Sequence, residues 1–206
     1  MEFFIKIAFM HLFAVASPGP DFALIMRQSL KYGRVLGIWT AMGIGTGILV
    51  HVTIALLGIS FFIIYQPSLF FIFKLVASLY LAILGFRSMF NRSQVTEINI
   101  SISRSSVSKF KAFLNGFIIN LFNPKAFLFF ITIYAILDNT VPLELKIFSG
   151  LYMAVATFIW FSFISYLTDV SSNIEKFKKI MPSLERITGV ILVFISIQIL
   201  FFKLPL

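Results

Sequence analysis

Two prolines, a glycine and an aspartate interrupt a long apolar segment near the start of the sequence. Residues 17–21 read Ser-Pro-Gly-Pro-Asp, inside an apolar run from residue 3 to about residue 26. Each proline removes a backbone donor and clashes with the preceding helical turn, so a helix cannot pass through undisturbed. If the run crosses a bilayer, the break and the Asp21 carboxylate lie at membrane depth. Irregular backbone is tolerated there only inside protein or beside a cavity, and a charge there is usually functional.

A second break lies about a hundred residues later. Residues 120–125 read Asn-Leu-Phe-Asn-Pro-Lys and interrupt an apolar run from about residue 110 to 137. This break carries a charge of opposite sign, on Lys125. Two interrupted apolar segments at matching places in two halves of a chain indicate a transporter substrate site.

The composition places the chain in a membrane. Of 206 residues, 59% are hydrophobic and 12% are charged, whereas a soluble domain is about a quarter charged. So few polar side chains cannot cover a soluble globule, and we expect an integral membrane protein. Cysteine is absent, which excludes disulfides and thiolate metal sites.

Six segments are long and apolar enough to cross a bilayer. We predict an all-α membrane protein whose six transmembrane helices form two inverted three-helix repeats, with segments 1 and 4 broken. The first repeat spans residues 1–90, a polar cytoplasmic loop spans 91–109, and the second repeat spans 110–206. If one broken segment is re-entrant, the chain has five spans instead. The six segments cover approximately residues 3–26, 35–63, 67–90, 110–137, 143–168 and 187–203.

The basic residues predict the orientation. The net charge is +9, and lysine and arginine cluster in three connections, at 27–34, 87–111 and 176–186. The positive-inside rule places these connections in the cytoplasm and both termini outside. It also explains the charge without nucleic acid, which we do not expect as a partner. Residues 14–16, Ala-Val-Ala, resemble a signal-peptide cleavage site, but Glu2 and Lys6 do not fit one, and we expect no cleavage.

Glycines are concentrated in the second segment. Gly33 with Gly37, and Gly43 with Gly47, each fit the G-x-x-x-G spacing that lets another helix approach closely. We expect this face to pack against a helix of the same chain. A homodimer formed through the face is the alternative.

These residues together resemble the LysE/RhtB superfamily of bacterial amino-acid exporters. The resemblance covers roughly the first two thirds of the chain. It implies a multi-pass protein of the bacterial inner membrane. Pro-Gly-Pro-Asp at the first break is similar to the homoserine/threonine (RhtB) branch, which implies a neutral amino acid as the substrate. The motifs are Pro18-Gly19-Pro20-Asp21, Gly33-Arg34, Gly37, Gly43, Gly47, Gly58, Lys74, Tyr80-Leu81, Gly85, Phe113, Gly116, Asn120 and Asn123-Pro124-Lys125-Ala126.

The two charged residues at the breaks are the first candidates for substrate binding. Asp21 is a ligand for the substrate ammonium group or a proton carrier, and its alternative role is to cap the helix that restarts after Pro20. Lys125 is a ligand for the substrate carboxylate or a partner for Asp21. Its alternative role is to reach a membrane interface.

The remaining candidates surround these charges. Asn120 and Asn123 satisfy backbone groups released by Pro124 or contact the substrate. The Tyr80 hydroxyl reaches the cavity if its side chain points inward. His51 is a candidate for proton coupling, with hydrogen-bonded packing as the alternative for both His51 and His11. Pro18, Gly19, Pro20 and Pro124 shape the backbone of the proposed substrate site.

A secondary transporter that exports small neutral amino acids or derivatives, such as threonine, homoserine or leucine, accounts for these features. The halves rock about the site, and the proton gradient supplies the energy. The sequence contains no catalytic motif, and we expect no enzyme activity, cofactor or metal. Membrane lipid and the amino acid are the expected partners. The alternatives are a cadmium-type cation exporter and a membrane subunit that does not transport.

Overall fold

A computed structural model describes residues 2–17, 19–65, 67–90, 107–136, 141–168 and 171–201. In these ranges all regular secondary structure is α-helical, as predicted. The polar segment at residues 91–106 and residues 66, 137–140 and 169–170 fall outside them. The helices are α1 (Glu2–Ala16), α2 (Pro20–Tyr32), α3 (Arg34–Tyr65), α4 (Pro67–Phe90), α5 (Lys109–Leu121), α6 (Pro124–Ile136), α7 (Leu143–Thr168) and α8 (Ser171–Phe201).

Both predicted breaks are present. The first apolar run divides into α1 and α2, whose axes differ by 55°, and the second divides into α5 and α6, whose axes differ by 59°. Pro20 and Pro124 are the first residues of the restarted helices, a position where the missing N–H has no helical partner to lose. Pro18 lies outside the described residues.

The basic connections are more helical than the sequence suggests. α2 runs on to Tyr32, so that Gly33 alone joins it to α3, with φ +87° and its N–H bonded to the Ser29 carbonyl at 2.9 Å. Glycine adopts this left-handed conformation without a steric penalty. The third connection, predicted at 169–186, is helical from Ser171 onward and contains Pro182 inside α8. Its lysines and glutamates favour a helix, which extends beyond the apolar span.

The described helices account for up to four membrane crossings. α3 over Arg34–Gly58 and α7 are each long and apolar enough to cross, and each bent pair qualifies as one further span. The six-span count and the inverted repeat therefore stay predictions. α3 packs along α7 and α4 packs along α8, so corresponding segments of the two predicted halves contact each other.

The glycine face of α3 packs within the chain at Gly37, Gly43 and Gly47, which confirms the packing prediction for these three residues. Gly33, the fourth residue of the prediction, lies before α3, and a Cβ built there would meet no described atom within 4 Å. A Cβ atom at Gly43 would lie within 2.9 Å of backbone atoms of α5, and one at Gly47 would lie 2.5 Å from Oδ1 of Asn120. A Cβ at Gly37 would overlap the hydroxyl groups of Ser29 and Ser165. These glycines therefore leave the space in which α2, α5 and α7 approach α3. The homodimer stays a prediction.

Two apolar clusters hold the helices together. The first cluster joins α1, α3, α4, α6, α7 and α8, and includes Ile48, Phe129 and Phe130. The second joins α2, α3 and α7 through Phe22, Ile25, Met26, Ala41, Ile44, Phe161 and Ile164. Many other large apolar side chains are exposed, Leu57, Phe90 and Phe122 by more than 70%, as expected for a surface in contact with lipid.

Candidate functional site

Three side chains join the two breaks. The side-chain amides of Asn120 and Asn123 both donate to Oδ2 of Asp21, at 2.9 and 3.0 Å. Asn120 and Asn123 are almost completely buried. A carboxylate that accepts two hydrogen bonds away from water is held far more strongly than an unpaired one. Asp21 therefore links the start of α2 to the break between α5 and α6.

The alternative role predicted for Asp21, as the N-cap of α2, is wrong. The N-cap of α2 is Gly19, which carries no side-chain cap, and Asp21 lies in the first turn of the helix. The carboxylate still benefits from the positive end of the helix dipole, but its hydrogen bonds go to the second break. Its other oxygen, Oδ1, is buried and has no hydrogen-bond partner among the residues that the structure describes.

Asn123 satisfies the backbone at the second break, as one of its two predicted roles requires. Its Oδ1 accepts a hydrogen bond from the Lys125 backbone N–H at 3.0 Å, and its carbonyl accepts one from the Phe127 N–H at 3.0 Å. This is the geometry of an N-cap on α6. The same side chain thus starts a helix with its oxygen and holds Asp21 with its nitrogen.

Lys125 points into the protein, so the interfacial alternative is wrong. Its Nζ donates to the Ser17 carbonyl at 3.1 Å, an oxygen next to the first break. A Cβ atom built on Gly19 would lie 3.6 Å from both Cδ and Nζ of Lys125. The lysine therefore crosses from the second break to the first, in the direction opposite to the contact made by Asp21.

A cavity lies where the breaks meet, and the space of about 440 Å³ between its lining residues includes open solvent. One wall carries the charged and polar groups of the two breaks, and the rest is mostly apolar. Members of both apolar clusters contribute to the apolar part. The described lining residues are His11, Ala14, Val15, Ser17, Gly19, Asp21, Phe22, Ile48, Asn123, Lys125, Ala126, Phe129, Phe130, Thr157 and Phe161.

Several predicted site residues are not among the described lining residues. Tyr80 is half-buried on α4, away from the cavity lining. Asn120 donates a hydrogen bond to Asp21 but is not itself among the described lining residues. Pro20 and Pro124 are exposed and shape the backbone. Gly19, Asp21, Asn123 and Lys125 do line the cavity, so the structure brings together two candidates from each break.

His51 makes the packing contacts named as its alternative role. Its Nε2 donates to the Asn120 carbonyl at 2.9 Å, and its ring stacks on Phe130 with centroids 6.1 Å apart. His51 is not among the described lining residues of the cavity. Because Asn120 also binds Asp21, the histidine reaches the carboxylate only through that asparagine. A role in proton coupling stays a prediction.

A buried polar pair on the cavity wall was not predicted. Nε2 of His11 and the Thr157 hydroxyl form a hydrogen bond of 3.0 Å between α1 and α7. This hydrogen bond is the packing role that was expected for His11, but nothing in the sequence distinguishes Thr157, its partner, from other threonines in apolar helices. The histidine within an apolar run was the one signal that pointed to this pair.

Comparisons with known proteins match this chain to a protein family. The sequence profile of the LysE type translocator family matches residues 12–202. A Bacillus subtilis protein named uncharacterized membrane protein YrhP is 31% identical over 193 residues, 89% of this chain and 91% of that protein. The threonine efflux protein of Escherichia coli K12 is 27% identical over 168 residues, 80% and 81% of the two chains. The leucine efflux protein of Salmonella choleraesuis is 27% identical over 132 residues, 64% and 61%. No solved structure matches the chain.

Proposed function

Because this chain belongs to the LysE type translocator family, we propose that it exports small neutral amino acids as a secondary transporter. The observation that carries the proposal is the cavity between the breaks, which Asp21 lines from one half of the chain and Lys125 from the other. An amino-acid zwitterion has one charge of each sign. The cavity offers one complementary charge to each.

The unpartnered oxygen of Asp21 supports a role in binding the ammonium group. Oδ2 is committed to Asn120 and Asn123, whereas Oδ1 is buried without a hydrogen-bond donor. A buried acceptor without a donor costs about 1–3 kcal/mol. An ammonium group placed against Oδ1 would recover that cost and add the attraction between opposite charges.

Lys125 and the helix starts support a role in binding the carboxylate. The Lys125 ammonium now donates to the Ser17 carbonyl, and a bound carboxylate would replace or join that acceptor. α2 and α6 both begin at the breaks, and helix N-termini favour anions. The carboxylate therefore belongs beside Lys125.

The apolar part of the cavity favours a neutral side chain. Asp21 is the one acidic residue among the described lining residues, so a second positive charge on the cargo would remain uncompensated. The same fact disfavours a divalent cation, which takes several oxygen or sulfur ligands. Two relatives are named for the efflux of threonine and leucine, both neutral amino acids.

The proton gradient is the energy source that we propose. Asp21 is the one carboxylate of the described residues that both lines the cavity and joins the two breaks. Its protonation would remove a negative acceptor from Asn120 and Asn123, weaken the link between α2 and α5 and reduce the affinity for the cargo ammonium. Proton binding and substrate release would then be coupled at one side chain.

Efflux from amino-acid-loaded cells or reconstituted vesicles tests the proposal. We expect Asp21→Asn and Lys125→Ala each to lower efflux at least tenfold while the protein still inserts into the membrane. Glu144→Gln and Lys111→Ala remove the same kinds of charge from exposed positions and should leave efflux unchanged. Collapse of the pH gradient should stop uphill efflux by the wild type. Unchanged efflux in both cavity variants would remove the proposed site.

A further inference from the structure

The cavity has a second polar feature on its otherwise apolar wall. His11 on α1 and Thr157 on α7 both line it, and they are 2% and 1% exposed. Their hydrogen bond uses one nitrogen of the imidazole, and the other, Nδ1, is buried without a hydrogen-bond partner in the described part of the chain. A threonine hydroxyl has one donor and two acceptor positions. The hydrogen bond between His11 and Thr157 therefore leaves other donor and acceptor positions of the two side chains unused.

Polar groups are expensive to bury in an apolar wall. The rings of Phe129 and Phe130 both lie with centroids 6.2 Å from that of His11. An unsatisfied polar atom in such surroundings costs about 1–3 kcal/mol, and filling the space with apolar groups would avoid this cost. The hydrogen bonds of Asp21 and Lys125 go to Asn120, Asn123 and Ser17, so the pair does not hold the charged groups in place.

The pair lies within reach of a small guest held at the breaks. His11 is six residues before Ser17, about 9 Å along a helix axis, and the Ser17 carbonyl binds the Lys125 ammonium. His11 and Thr157 line the same cavity as Asp21 and Lys125, so a guest held by the two charges occupies the space that the pair lines. Thr157 lies one turn of α7 from Phe161, which packs in the same cluster as Phe22, the neighbour of Asp21.

We infer that His11 and Thr157 form the side-chain subsite of this cavity and determine whether a cargo with a hydroxyl is preferred over one with a methyl group in its place. The inference rests on the proposed function, because the zwitterion at Asp21 and Lys125 sets the orientation of the cargo. A site that hydrogen-bonds a substrate hydroxyl rejects the analogue lacking it, since the polar groups of the site are then left unpaired.

Threonine and valine are the appropriate probes, because they have nearly the same shape and differ by a hydroxyl. We expect the wild type to export threonine at least tenfold more efficiently than valine. Thr157→Val should lower the threonine-to-valine ratio about tenfold, through slower threonine efflux and not through loss of valine efflux. His11→Leu should act in the same direction, and His11→Gln, which keeps a hydrogen-bonding group, should restore part of the preference.

Thr168→Val is the matched control. Thr168 is also buried on α7, but its hydroxyl bonds to carbonyls of its own helix and it is not among the described lining residues. We expect its threonine-to-valine ratio to equal that of the wild type. Equal efflux of valine and threonine by the wild type would overturn the inference. An unchanged threonine-to-valine ratio in the Thr157→Val variant would also overturn it.

Ligand-induced thermal stabilisation of the purified protein gives a readout that does not require transport. Threonine should raise the unfolding temperature of the wild type more than valine does, and Thr157→Val should remove the difference. Equal efflux or stabilisation by both probes would refute the subsite and leave the proposed function intact. If no amino acid is exported or stabilises the protein, the proposed function fails, and the subsite fails with it.

Discussion

The side-chain amide of Asn120 donates to Oδ2 of Asp21 at 2.9 Å, across 99 positions of the sequence. The carbonyl of the same asparagine accepts a hydrogen bond from Nε2 of His51. Gly47 leaves the space for this side chain, since a Cβ there would lie 2.5 Å from the asparagine Oδ1. One fully buried residue of α5 therefore connects α2, which carries the carboxylate, with α3.

Replacing Asn120 should destabilise the protein. Asn120→Ala removes one of two donors to Asp21, and a buried charged group that loses a donor costs about 1–3 kcal/mol or more. We expect a clear fall in unfolding temperature in detergent. Asn115→Ala, on the same helix but half-buried, should change stability by about 0.5 kcal/mol or less. Equal losses in the two variants would contradict the role given to the contact with Asp21.

Two glycines of α3 should respond oppositely to alanine. At Gly43 a Cβ would overlap the backbone of Phe113 and Phe117 on α5, so the two helices must separate, at a cost of about 1–3 kcal/mol or more. At Gly58 a Cβ would meet no atom of the described residues within 4 Å, and alanine should stabilise the helix by up to about 1 kcal/mol. Folded yield and unfolding temperature measure the effects of Gly43→Ala and Gly58→Ala. A well-folded Gly43→Ala protein would show that α3 and α5 are packed differently.

A disulfide should form between α2 and α7. The hydroxyl groups of Ser29 and Ser165 are 2.8 Å apart, and the chain contains no cysteine of its own. In the double variant Ser29→Cys, Ser165→Cys, mild oxidation should cross-link the two helices, because the side-chain tips already meet.

The same cross-link tests the motion that transport requires. Alternating access needs parts of the protein to move against each other, so we expect oxidation to lower efflux several-fold and a reducing agent to restore it. The two single-cysteine variants are the controls and should not respond to oxidant. Full efflux by the cross-linked protein would show that α2 and α7 stay together throughout the cycle.

Gly19 should tolerate alanine but not leucine. Its φ of −171° is ordinary extended backbone, so glycine is not required there for conformation. A methyl group would only contact Lys125 at 3.6 Å, and we expect efflux by Gly19→Ala within a few-fold of the wild type. Gly19→Leu would fill the space beside Lys125 and should block efflux of every cargo. Normal efflux by Gly19→Leu would place the route of the cargo elsewhere.

The breaks and their charges were predictable because proline and ionised groups in an apolar run have few physical explanations. The contacts of Asp21 and Lys125 were not predictable in detail. Sequence spacing brought both charges to the same depth, but it does not show that Lys125 bonds to the Ser17 carbonyl rather than to a bound cargo.

Residues on unbroken helices were harder to place. The side of α4 that Tyr80 occupies depends on how α4 packs, which a uniformly apolar segment does not reveal. His11 and Thr157 are 146 positions apart, and only folding brings them together. The helical ends of α2 and α8 were missed because lysine and arginine indicate a loop by charge while favouring a helix by propensity.

The junction at Gly33 has a mechanical consequence. A single residue turns the chain from the helix that holds Asp21 into the long helix that holds the glycine face, and no flexible linker separates them. Any rotation of α2 must therefore be transmitted to α3 at Gly33. A side chain at residue 33 would disfavour the positive φ on which this turn depends, and would change how α2 meets α3 without touching the charges at the breaks.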